Sequence, residues 1–374
     1  MPEAVLQLCM SKGWGGLEMY PSKIAPALRA RGWQVYCVTL AGSHLGKEMR
    51  RQGIEVLEYS SSSRALWRSW HLLRWLRARR ITVIHCHKSS DLRVAAFLKA
   101  RMPSLRIVFT EHMGVSKSKR DLYHRWAYGK VDQVLAISQA TYQRNVKALP
   151  IKSERISCLY HGLDLMRYPD LMSSAGRRDQ RERLGLTEGD MAVGLAARLT
   201  PGKGQRVFIE ALAKLSPNSR IRGVIIGSTE ASQGSNAVFV DELRARIKEL
   251  GLKDRVIMTG YQSDMPATLA ALDMACVPSP NEAFGLSAIE AMAVALPVIA
   301  SNSGALPEIV TTDTGLLVEP KDIDGWSQAM SWLEENPEER FRLGENGRRR
   351  VEGRFELGGH VDVLERCYRG EVVS

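Results

Sequence analysis

Long apolar runs are missing from this chain of 374 residues, and none approaches the roughly 20 residues that a membrane-spanning helix requires. The first nine residues include the acid Glu3 and an apolar run too short for a secretory signal peptide. The six cysteines are scattered without a Cys-x-x-Cys pair, which favours free thiols in a reducing cytosol over disulfides or zinc ligation. These absences predict a cytoplasmic protein that does not span a membrane.

Clusters of metal-ligating residues are also missing. The only Asp-x-Asp sequence, of the kind that metal-dependent transferases use, is Asp322-Ile323-Asp324. It precedes a helical pattern near the C-terminal end, so we interpret Asp322 as a helix N-cap. His85 and His87 share one face of a predicted strand, but no third ligand accompanies them. The sequence therefore predicts no metal site.

Acidic residues are scarce in the first part of the chain. The net charge of +11 is uneven: residues 1–168 hold 28 Lys+Arg and 11 Asp+Glu, a net charge of +17, whereas residues 169–374 hold 24 and 30, a net charge of −6. A basic half joined to a mildly acidic half indicates an anionic partner for the first half only. Nucleic acid, an anionic membrane and an anionic substrate would each fit this charge.

Predicted strands alternate with predicted helices along the whole chain. This alternation is typical of α/β domains with parallel sheets, and 374 residues exceed one ordinary core. We therefore predict two α/β domains, residues 1–168 and residues 169–356. Because the ligands of such sheets bind at the carboxyl ends of the strands, we expect the site in a cleft between two facing domains.

A strand, a tight loop and a helix start are predicted around residues 281–290. Glu282 and Glu290 lie eight residues apart across a turn that contains Gly285, and Ser287 with Glu290 forms a Ser-x-x-Glu capping box that opens a helix over 288–295. A helix N-terminus binds anions such as phosphate, and paired carboxylates accept hydrogen bonds from hydroxyls. The pattern therefore indicates a nucleotide-sugar as the ligand. The alternative is that Glu290 only caps the helix and Glu282 is a solvated loop acid.

Two cations and two glycines occupy other strand-to-helix loops. Arg198 and Lys203 lie five residues apart across a Pro-Gly turn, where both can converge on one diphosphate. Gly15 and Gly16 follow the first strand, where glycine lets the backbone approach a phosphate closely. The alternatives are solvated loop charges and a plain turn.

The segments around Arg198–Gly204 and Glu282–Glu290 resemble the Arg-x-x-x-x-Lys-Gly and Glu-x7-Glu donor motifs of retaining, family 4-type (group 1) glycosyltransferases with the GT-B fold, such as the transferases of lipopolysaccharide core and envelope glycans. The resemblance implies two Rossmann-like domains, the first binding the acceptor and the second the donor. It also implies that a final helix, at about 357–374, crosses back to the first domain. His161 replaces the asparagine of the family's Asn-Gly-x-Asp hinge.

The resemblance also implies roles for individual residues. Arg198 and Lys203 would bind the leaving diphosphate in place of a metal, Glu282 would hold sugar hydroxyls and Glu290 the ribose hydroxyls. The other residues implied at the donor site are Gly15, Gly16, Phe284, Gly285, Leu286 and Ser287. His112, just past a strand end, would contact the donor sugar; the alternative is a histidine bonded to backbone. No cofactor is implied beyond the nucleotide-sugar, with a UDP-sugar favoured over GDP- or ADP-sugars.

Residues 64–80 hold six arginines and no acid. On one helix, Leu66, Trp70, Leu73 and Leu76 would face inward, leaving arginines and one or two other tryptophans toward lipid, as in interfacial membrane segments. A second basic, aromatic segment covers 116–130. The residues predicted to contact membrane or acceptor are Arg64, Trp67, Arg68, Arg74, Trp75, Arg77, Lys117, Lys119 and Arg120. The alternative for both segments is a solvated helix face.

These features together predict a retaining, metal-independent glycosyltransferase. Its expected acceptor is a lipid-linked or phosphorylated glycan on the anionic inner face of the cytoplasmic membrane, with lipopolysaccharide core the first choice. One rival is a soluble GT-B enzyme, such as a sucrose- or glycogen-type synthase or a nucleotide-sugar epimerase. The other rival is a nucleic-acid binder, which the basic charge permits but which lacks any nucleic-acid motif.

Overall fold

A computed structural model of the protein describes residues 3–115, 117–168, 176–230 and 234–371. The chain forms two compact units: unit 1 is Met1–Gly162 with Leu357–Ser374, and unit 2 is Leu163–Glu356. The first boundary falls after Gly162 rather than after residue 168, because the N–H of Leu163 donates to the carbonyl of Phe355 at 2.7 Å and ties this segment to unit 2. The predicted domain start at residue 169, and residues 372–374 of the predicted final helix, lie outside the described residues.

The described part of unit 1 contains a parallel sheet of seven strands. In chain order they are β1 (Ala4–Cys9), β2 (Gln34–Leu40), β3 (Glu55–Tyr59), β4 (Val83–Cys86), β5 (Arg106–Glu111), β6 (Gln133–Ala136) and β7 (Ile156–Cys158). Their order across the sheet is β3-β2-β1-β4-β5-β6-β7. Every residue of β1 is buried, as expected of a central parallel strand that is covered on both faces.

Helices cover both faces of this sheet. They are α1 (Gly16–Ala30), α2 (His44–Arg51), α3 (Ser62–Trp67), α4 (Ser69–Ala78), α5 (Leu92–Arg101), α6 (Leu122–Gly129) and α7 (Gln139–Ala148). Because side chains alternate along a strand, Leu6 and Leu8 of β1 join the core that contains Leu72 of α4 and Leu98 of α5. Val5 joins the opposite core, with residues of α1.

Unit 2 contains a second parallel sheet. Its strands are β8 (Met191–Ala196), β9 (Ile221–Ile226), β10 (Val256–Gly260), β11 (Met274–Val277), β12 (Val298–Ser301) and β13 (Gly315–Val318), in the order β10-β9-β8-β11-β12-β13. Its helices are α8 (Gly176–Arg183), α9 (Gln205–Ala213), α10 (Ala237–Glu249), α11 (Met265–Ala270), α12 (Leu286–Met292), α13 (Leu306–Ile309), α14 (Ile323–Glu335) and α15 (Pro337–Arg354). The predicted N-cap of α14 is confirmed, because the Asp322 carboxylate accepts a hydrogen bond from the N–H of Gly325 at 2.9 Å.

The last helix, α16 (Leu357–Arg369), belongs to unit 1. Its residues Val361, Leu364 and Tyr368 are buried in the same core as Tyr20 and Ile24 of α1. The indole N–H of Trp33 donates to Glu365 at 2.8 Å, which fixes the helix against the strand that follows α1. The two predicted α/β domains are therefore present as two parallel sheets, each with helices on both faces.

The basic segment 64–80 is two helices rather than one. Arg68 separates α3 from α4, and the break changes which side chains face the sheet. Trp75 is only 9% exposed and donates its indole N–H to Glu55 at 3.3 Å, whereas Trp70 is 66% exposed. The prediction that Trp70 faces inward and Trp75 outward is wrong, because it assumed one continuous helix.

Candidate functional site

The strand order of unit 2 reverses between β8 and β11. The chain runs from β8 outward through β9 to β10, then returns to β11 and continues outward through β12 to β13. Ligands of open parallel sheets bind where the order reverses, just outside the carboxyl ends of the two central strands. The loops that follow β8 and β11 carry Arg198, Lys203 and Glu282, so the predicted donor residues lie at this point of the sheet.

The two loops touch at Gly204. This residue is the N-cap of α9 with φ +82°, a conformation that favours glycine. A Cβ there would lie 2.3 Å from the carbonyl oxygen of Pro278, which begins the loop after β11. The loop before Gly204 is held by the buried side chain of Gln205, which donates to the carbonyl of Arg198 at 2.9 Å. A glycine at 204 is therefore required for the close approach of the loops.

Lys203 and Glu282 form an ion pair across the two loops. The ammonium Nζ lies 2.8 Å from the carboxylate Oε2, and the two side chains are 30% and 18% exposed. The guanidinium of Arg198 is exposed and forms no ion pair with any described residue. The sequence predicts both cations at one diphosphate, but it does not predict that Lys203 contacts the carboxylate assigned to the sugar.

The backbone of Glu282 is held by the loop that follows β12. The N–H of Ala305 donates to the carbonyl of Glu282 at 3.0 Å, and the hydroxyl of Ser303 donates to the carbonyl of Pro280 at 2.7 Å. Gly304 has φ +62°, and a Cβ there would lie 2.5 Å from the Glu282 carbonyl oxygen. This support was not predicted from the sequence, although Gly304, which lies between a strand and the Leu-Pro start of a helix, was a usable signal.

The helix after Glu282 does not begin with a capping box. Gly285, with φ +113°, is the N-cap of α12, and no side chain caps the helix. Ser287 is therefore the second residue of the helix and Glu290 lies in its second turn, so the predicted capping box is wrong. Gly285 sets this start because its positive φ turns the chain directly into the helix. Phe284 is buried against Phe355, with ring centroids 6.2 Å apart, and Leu286 is half-buried.

Glu290 has a partner that no sequence pattern indicated. The hydroxyl of Tyr168 forms a hydrogen bond with its carboxylate, and burial together with this carboxylate raises the pKa of Tyr168. Tyr168 is fixed in turn through its carbonyl, which accepts a hydrogen bond from Arg348 at 2.5 Å. The carboxylate of Glu290 is therefore oriented by a neutral phenol from the start of unit 2.

In unit 1 the strand order reverses between β1 and β4. The loop after β1 contains Gly15 and Gly16, and Glu18 organises it by accepting from the N–H of Gly15 at 3.0 Å and from the hydroxyl of Ser11 at 2.7 Å. The loop is joined to the residues after β4 because the N–H of Met10 donates to Asp91 at 2.8 Å. Burial raises the pKa of the Asp91 carboxyl to about 6.

His112 follows β5 and lies in a buried cluster of aromatic rings. The cluster consists of Tyr20, His85, His87, His112, His161 and His360. The His112 ring stacks on His161 with centroids 5.3 Å apart. Burial, reinforced by His360, lowers the pKa of His112 to about 3, and burial lowers the pKa of the other four histidines as well. All five rings are therefore neutral at pH 7.

Hydrogen bonds determine which ring nitrogen of His112 carries the proton. The side-chain amide oxygen Oε1 of Gln7 accepts a hydrogen bond from Nε2 of His87 at 2.8 Å, so Nδ1 of His87 is an acceptor. That nitrogen receives the Nε2–H of His112 at 3.4 Å. Nδ1 of His112 is then a buried lone pair without a hydrogen-bond partner among the described residues. The sequence placed His112 at a strand end but could not predict this tautomer.

Two family models match the chain. The model described as "Glycosyl transferases group 1" matches residues 176–350, and the model described as "Glycosyltransferase Family 4" matches residues 14–167. The chain belongs to the family 4, group 1 glycosyltransferases. The Arg198–Gly204 and Glu282–Glu290 segments of this transferase fall in the first match, and Gly15, Gly16 and His112 fall in the second.

Individual relatives and solved structures agree with this assignment. The transferase is 27% identical over 303 residues to the lipopolysaccharide core biosynthesis mannosyltransferase LpsB of Rhizobium meliloti (strain 1021), covering 80% of this chain and 82% of LpsB. It is 37% identical over 199 residues to the D-inositol 3-phosphate glycosyltransferase of Corynebacterium glutamicum (strain R), covering 52% and 46%. The crystal structure of Anabaena HepE in complex with UDP superposes with a TM-score of 0.85 at 23% identity, covering 98% and 99% of the chains. The predicted GT-B fold is confirmed.

The residues predicted to contact membrane or acceptor lie on unit 1 of the transferase. Arg64, Arg68, Arg74 and Arg77 are exposed, and Trp67 is 76% exposed. The prediction that Trp75 contacts membrane or acceptor is wrong, because its ring packs against Tyr36 and under the guanidinium of Arg79. Lys117 and Arg120 are exposed, whereas Lys119 is half-buried and donates to the hydroxyl of Ser89 at 3.0 Å.

Neither a membrane span nor a metal-binding group is found in the described residues of the transferase. Over residues 3–115, 117–168, 176–230 and 234–371, no helix is long and apolar enough to cross a membrane. Over the same ranges, no three or more His, Cys, Asp and Glu side chains are grouped so that they could hold a metal ion. Three of the clustered histidines, His85, His87 and His360, form hydrogen bonds with Tyr, Thr, Gln and backbone groups instead.

Proposed function

We propose that this transferase moves a sugar from a nucleoside-diphosphate sugar, with uridine as the favoured base, to a lipid-linked or phosphorylated glycan. The proposed process is the synthesis of lipopolysaccharide core or another bacterial envelope polysaccharide. The name of the relative LpsB supports this process, and the UDP in the HepE crystal supports the donor class. Transfer proceeds with retention of anomeric configuration and without a metal ion.

The observation that carries the proposal is the Lys203–Glu282 ion pair where the strand order of unit 2 reverses. Departure of a nucleoside diphosphate leaves negative charge on phosphate and positive charge on the sugar. Lys203 has three N–H donors, so it can bind a phosphate oxygen while it still contacts Glu282. Arg198, which lacks an acidic partner among the described residues, supplies the second cation.

The proposed roles of the remaining donor residues are assigned from their positions. Glu282 accepts hydrogen bonds from sugar hydroxyls, and Glu290, oriented by Tyr168, accepts them from the ribose. The backbone N–H groups of Leu286 and Ser287 open a helix and have no intrahelical partner, so they face the leaving phosphate together with the loop of Phe284 and Gly285. Gly15 and Gly16 approach the diphosphate, and His112 contacts the donor sugar.

The donor proposal is tested by calorimetric titration of UDP, GDP, ADP and their sugars. We expect one base family, that of uridine, to bind, and we expect Arg198→Ala and Lys203→Ala to weaken binding at least tenfold because a charge-assisted hydrogen bond is lost. Arg206→Ala is the matched control, since Arg206 lies three residues further on and pairs with Glu242. Equal affinity of all three variants would overturn the assignment, as would no binding of any nucleotide.

We also propose that the transferase acts at the anionic inner face of the cytoplasmic membrane. The exposed Trp67 and Trp70 stand among exposed arginines on a unit with an excess of basic residues. Such a surface binds anionic lipid through both apolar burial and charge. Flotation with phosphatidylglycerol vesicles is expected to recover the protein at low salt and to release it at high salt. Failure to float at low salt would reject this localisation.

A further inference from the structure

A cavity of about 280 Å³ opens in unit 1 beside the loop that follows β4. It is lined by Ser89, Ser90, Arg93, Tyr123 and His124. The two serines lie in a single helical turn, Ser89–Asp91, which leads into α5, and the aromatic residues lie at the start of α6. Because β4 borders the point where the strand order of unit 1 reverses, the cavity adjoins the place where open parallel sheets generally bind ligands.

Arg93 lines this cavity, and Lys119 contacts Ser89 of its lining; the side chains of both cations are hydrogen-bonded to neutral hydroxyls. One guanidinium N–H of Arg93 donates to the hydroxyl of Ser62 at 2.8 Å, and its Nε is buried without a hydrogen-bond partner among the described residues. Lys119 donates to the hydroxyl of Ser89 at 3.0 Å. Neither cation forms an ion pair within the described ranges. A buried N–H of a charged group that makes no hydrogen bond lowers the stability of the fold, which indicates a missing acceptor.

The acids near the cavity are already bound to other groups. Asp91 accepts from the N–H of Met10 and from the hydroxyl of Ser90. Glu111, which Lys119 stabilises across space, accepts from the N–H of Met113. Asp121 caps α6 and accepts from Nδ1 of His124. None of these carboxylates accepts a hydrogen bond from Nε of Arg93, which favours an anion from outside the chain as its acceptor.

We propose that this cavity binds the phosphate group of the acceptor substrate, a phosphate ester on a sugar or a lipid. The proposal rests on the proposed function and adds the chemical group by which the acceptor is recognised. Arginine and lysine with hydroxyl donors are the groups that proteins use to bind phosphate. The cavity is small for a ligand pocket, so it accommodates the phosphorylated head of an acceptor rather than a whole lipid-linked glycan.

The cavity is connected to the aromatic surface of unit 1. Ser62, which receives the hydrogen bond from Arg93, is the first residue of α3, and α3 ends at the exposed Trp67. The exposed ring of Tyr123 forms a wall of the cavity. A phosphate bound at Arg93 is therefore within one short helix of the surface that we assign to lipid.

The test is a calorimetric titration of glycerol 3-phosphate into the protein. Saturating UDP is present throughout, so that the donor site is already filled. We expect saturable binding that weakens at least tenfold in Arg93→Gln and in Lys119→Gln. Arg101→Gln is the matched control, because Arg101 ends the same helix and lies over the ring of Phe97. Glycerol 3-phosphate that binds all four proteins equally, or binds none of them, would refute the cavity as a phosphate site.

A second arm distinguishes a lipid headgroup from a free phosphate ester. Vesicles of phosphatidylcholine with phosphatidic acid are expected to bind the wild type more strongly than vesicles of phosphatidylcholine alone, and Arg93→Gln is expected to remove most of that difference. If Arg93→Gln lowers only the affinity for glycerol 3-phosphate, the source is a soluble ester. UDP affinity measured on the same variants separates the phosphate-site hypothesis from the donor-site hypothesis. If only the phosphate-site hypothesis is wrong, all the proteins still bind UDP with unchanged affinity. If the donor-site hypothesis is wrong, none of the proteins binds UDP.

Discussion

Units 1 and 2 have the same kind of sheet but differ in the burial and charge of the titratable side chains near their central strands. In unit 2 the two central loops are joined by a partly buried ion pair, Lys203–Glu282. In unit 1 they are joined by the buried carboxyl of Asp91, and behind them lie five neutral, buried histidines. Unit 2 contains no histidine. The comparison teaches that the same kind of parallel sheet can be accompanied by a charged ion pair in one unit and by buried, uncharged rings in the other.

The largest expected effect is acid sensitivity confined to unit 1. The folded-state pKa values of His85, His87, His112, His161 and His360 are lowered by burial, so below about pH 6.5 the unfolded chain binds more protons than the folded one. Stability is then lost as pH falls, by up to about 1.4 kcal/mol per pH unit for each histidine. The pKa of Asp91 is raised to about 6 in the folded state, so protonation of this one carboxyl stabilises the fold as pH falls and opposes the effect of the histidines.

This difference is measured by hydrogen exchange after incubation at pH 7.5, 6.0 and 5.0, with labelling at one common pH. Peptides of unit 1 are expected to lose protection first, while those of residues 163–356 keep theirs. If both units lose protection together, or unit 2 loses it first, the histidine cluster does not govern acid stability.

The next effect separates the two roles of the ion pair in unit 2. Glu282→Gln removes the carboxylate that we propose holds sugar hydroxyls, and it also releases the ammonium of Lys203. We expect sugar transfer to fall about 100-fold, as when a group that acts in the transition state is lost, while the affinity for UDP alone does not fall. Steady-state rates and UDP titration measure both. Loss of UDP affinity would show that Glu282 positions Lys203 rather than the sugar.

A smaller effect tests the hydrogen-bond chain behind His112. Gln7→Leu leaves the buried Nε2–H of His87 without its acceptor, and we expect a loss of about 2 kcal/mol of unfolding free energy. Gln133→Leu is the matched control, since Gln133 is also buried in this sheet but donates to Ser157. Both should be destabilised, but only Gln7→Leu should change the tautomers of His87 and His112 in long-range ¹H–¹⁵N spectra. Unchanged histidine nitrogen shifts would contradict the proposed chain.

The smallest effect concerns the basic surface of unit 1. Arg74→Gln removes one exposed charge of α4, which is expected to cost about 1 kcal/mol of binding to anionic vesicles, or about fivefold in affinity. Arg349→Gln changes an exposed arginine of unit 2 and serves as the control. Sedimentation with phosphatidylglycerol vesicles measures both. Equal losses in the two variants would mean that the surface of unit 1 has no special part in membrane binding.

Most of the fold was predictable because its signals are local. The strands at 274–277, 298–301 and 315–318 are each a short apolar run between turn residues, which is a pattern that predicts a buried strand. The errors lie where two local signals compete. Ser287 and Glu290 have the spacing of a capping box, but the positive φ of Gly285 starts the helix two residues earlier. Arg68 interrupts the basic helix, and no residue type there signals a break.

The sequence by itself determined the alternation of strands and helices, the strand-end loops and the spacing of Arg198, Lys203, Glu282 and Glu290, because these depend on residues close together in the chain. Only the tertiary structure decided that Lys203 contacts Glu282, 79 residues away, and that Tyr168 contacts Glu290. It also gathered five histidines from positions 85 to 360 around Tyr20. Such contacts depend on the order of the strands across each sheet, and side-chain periodicity carries no information about that order.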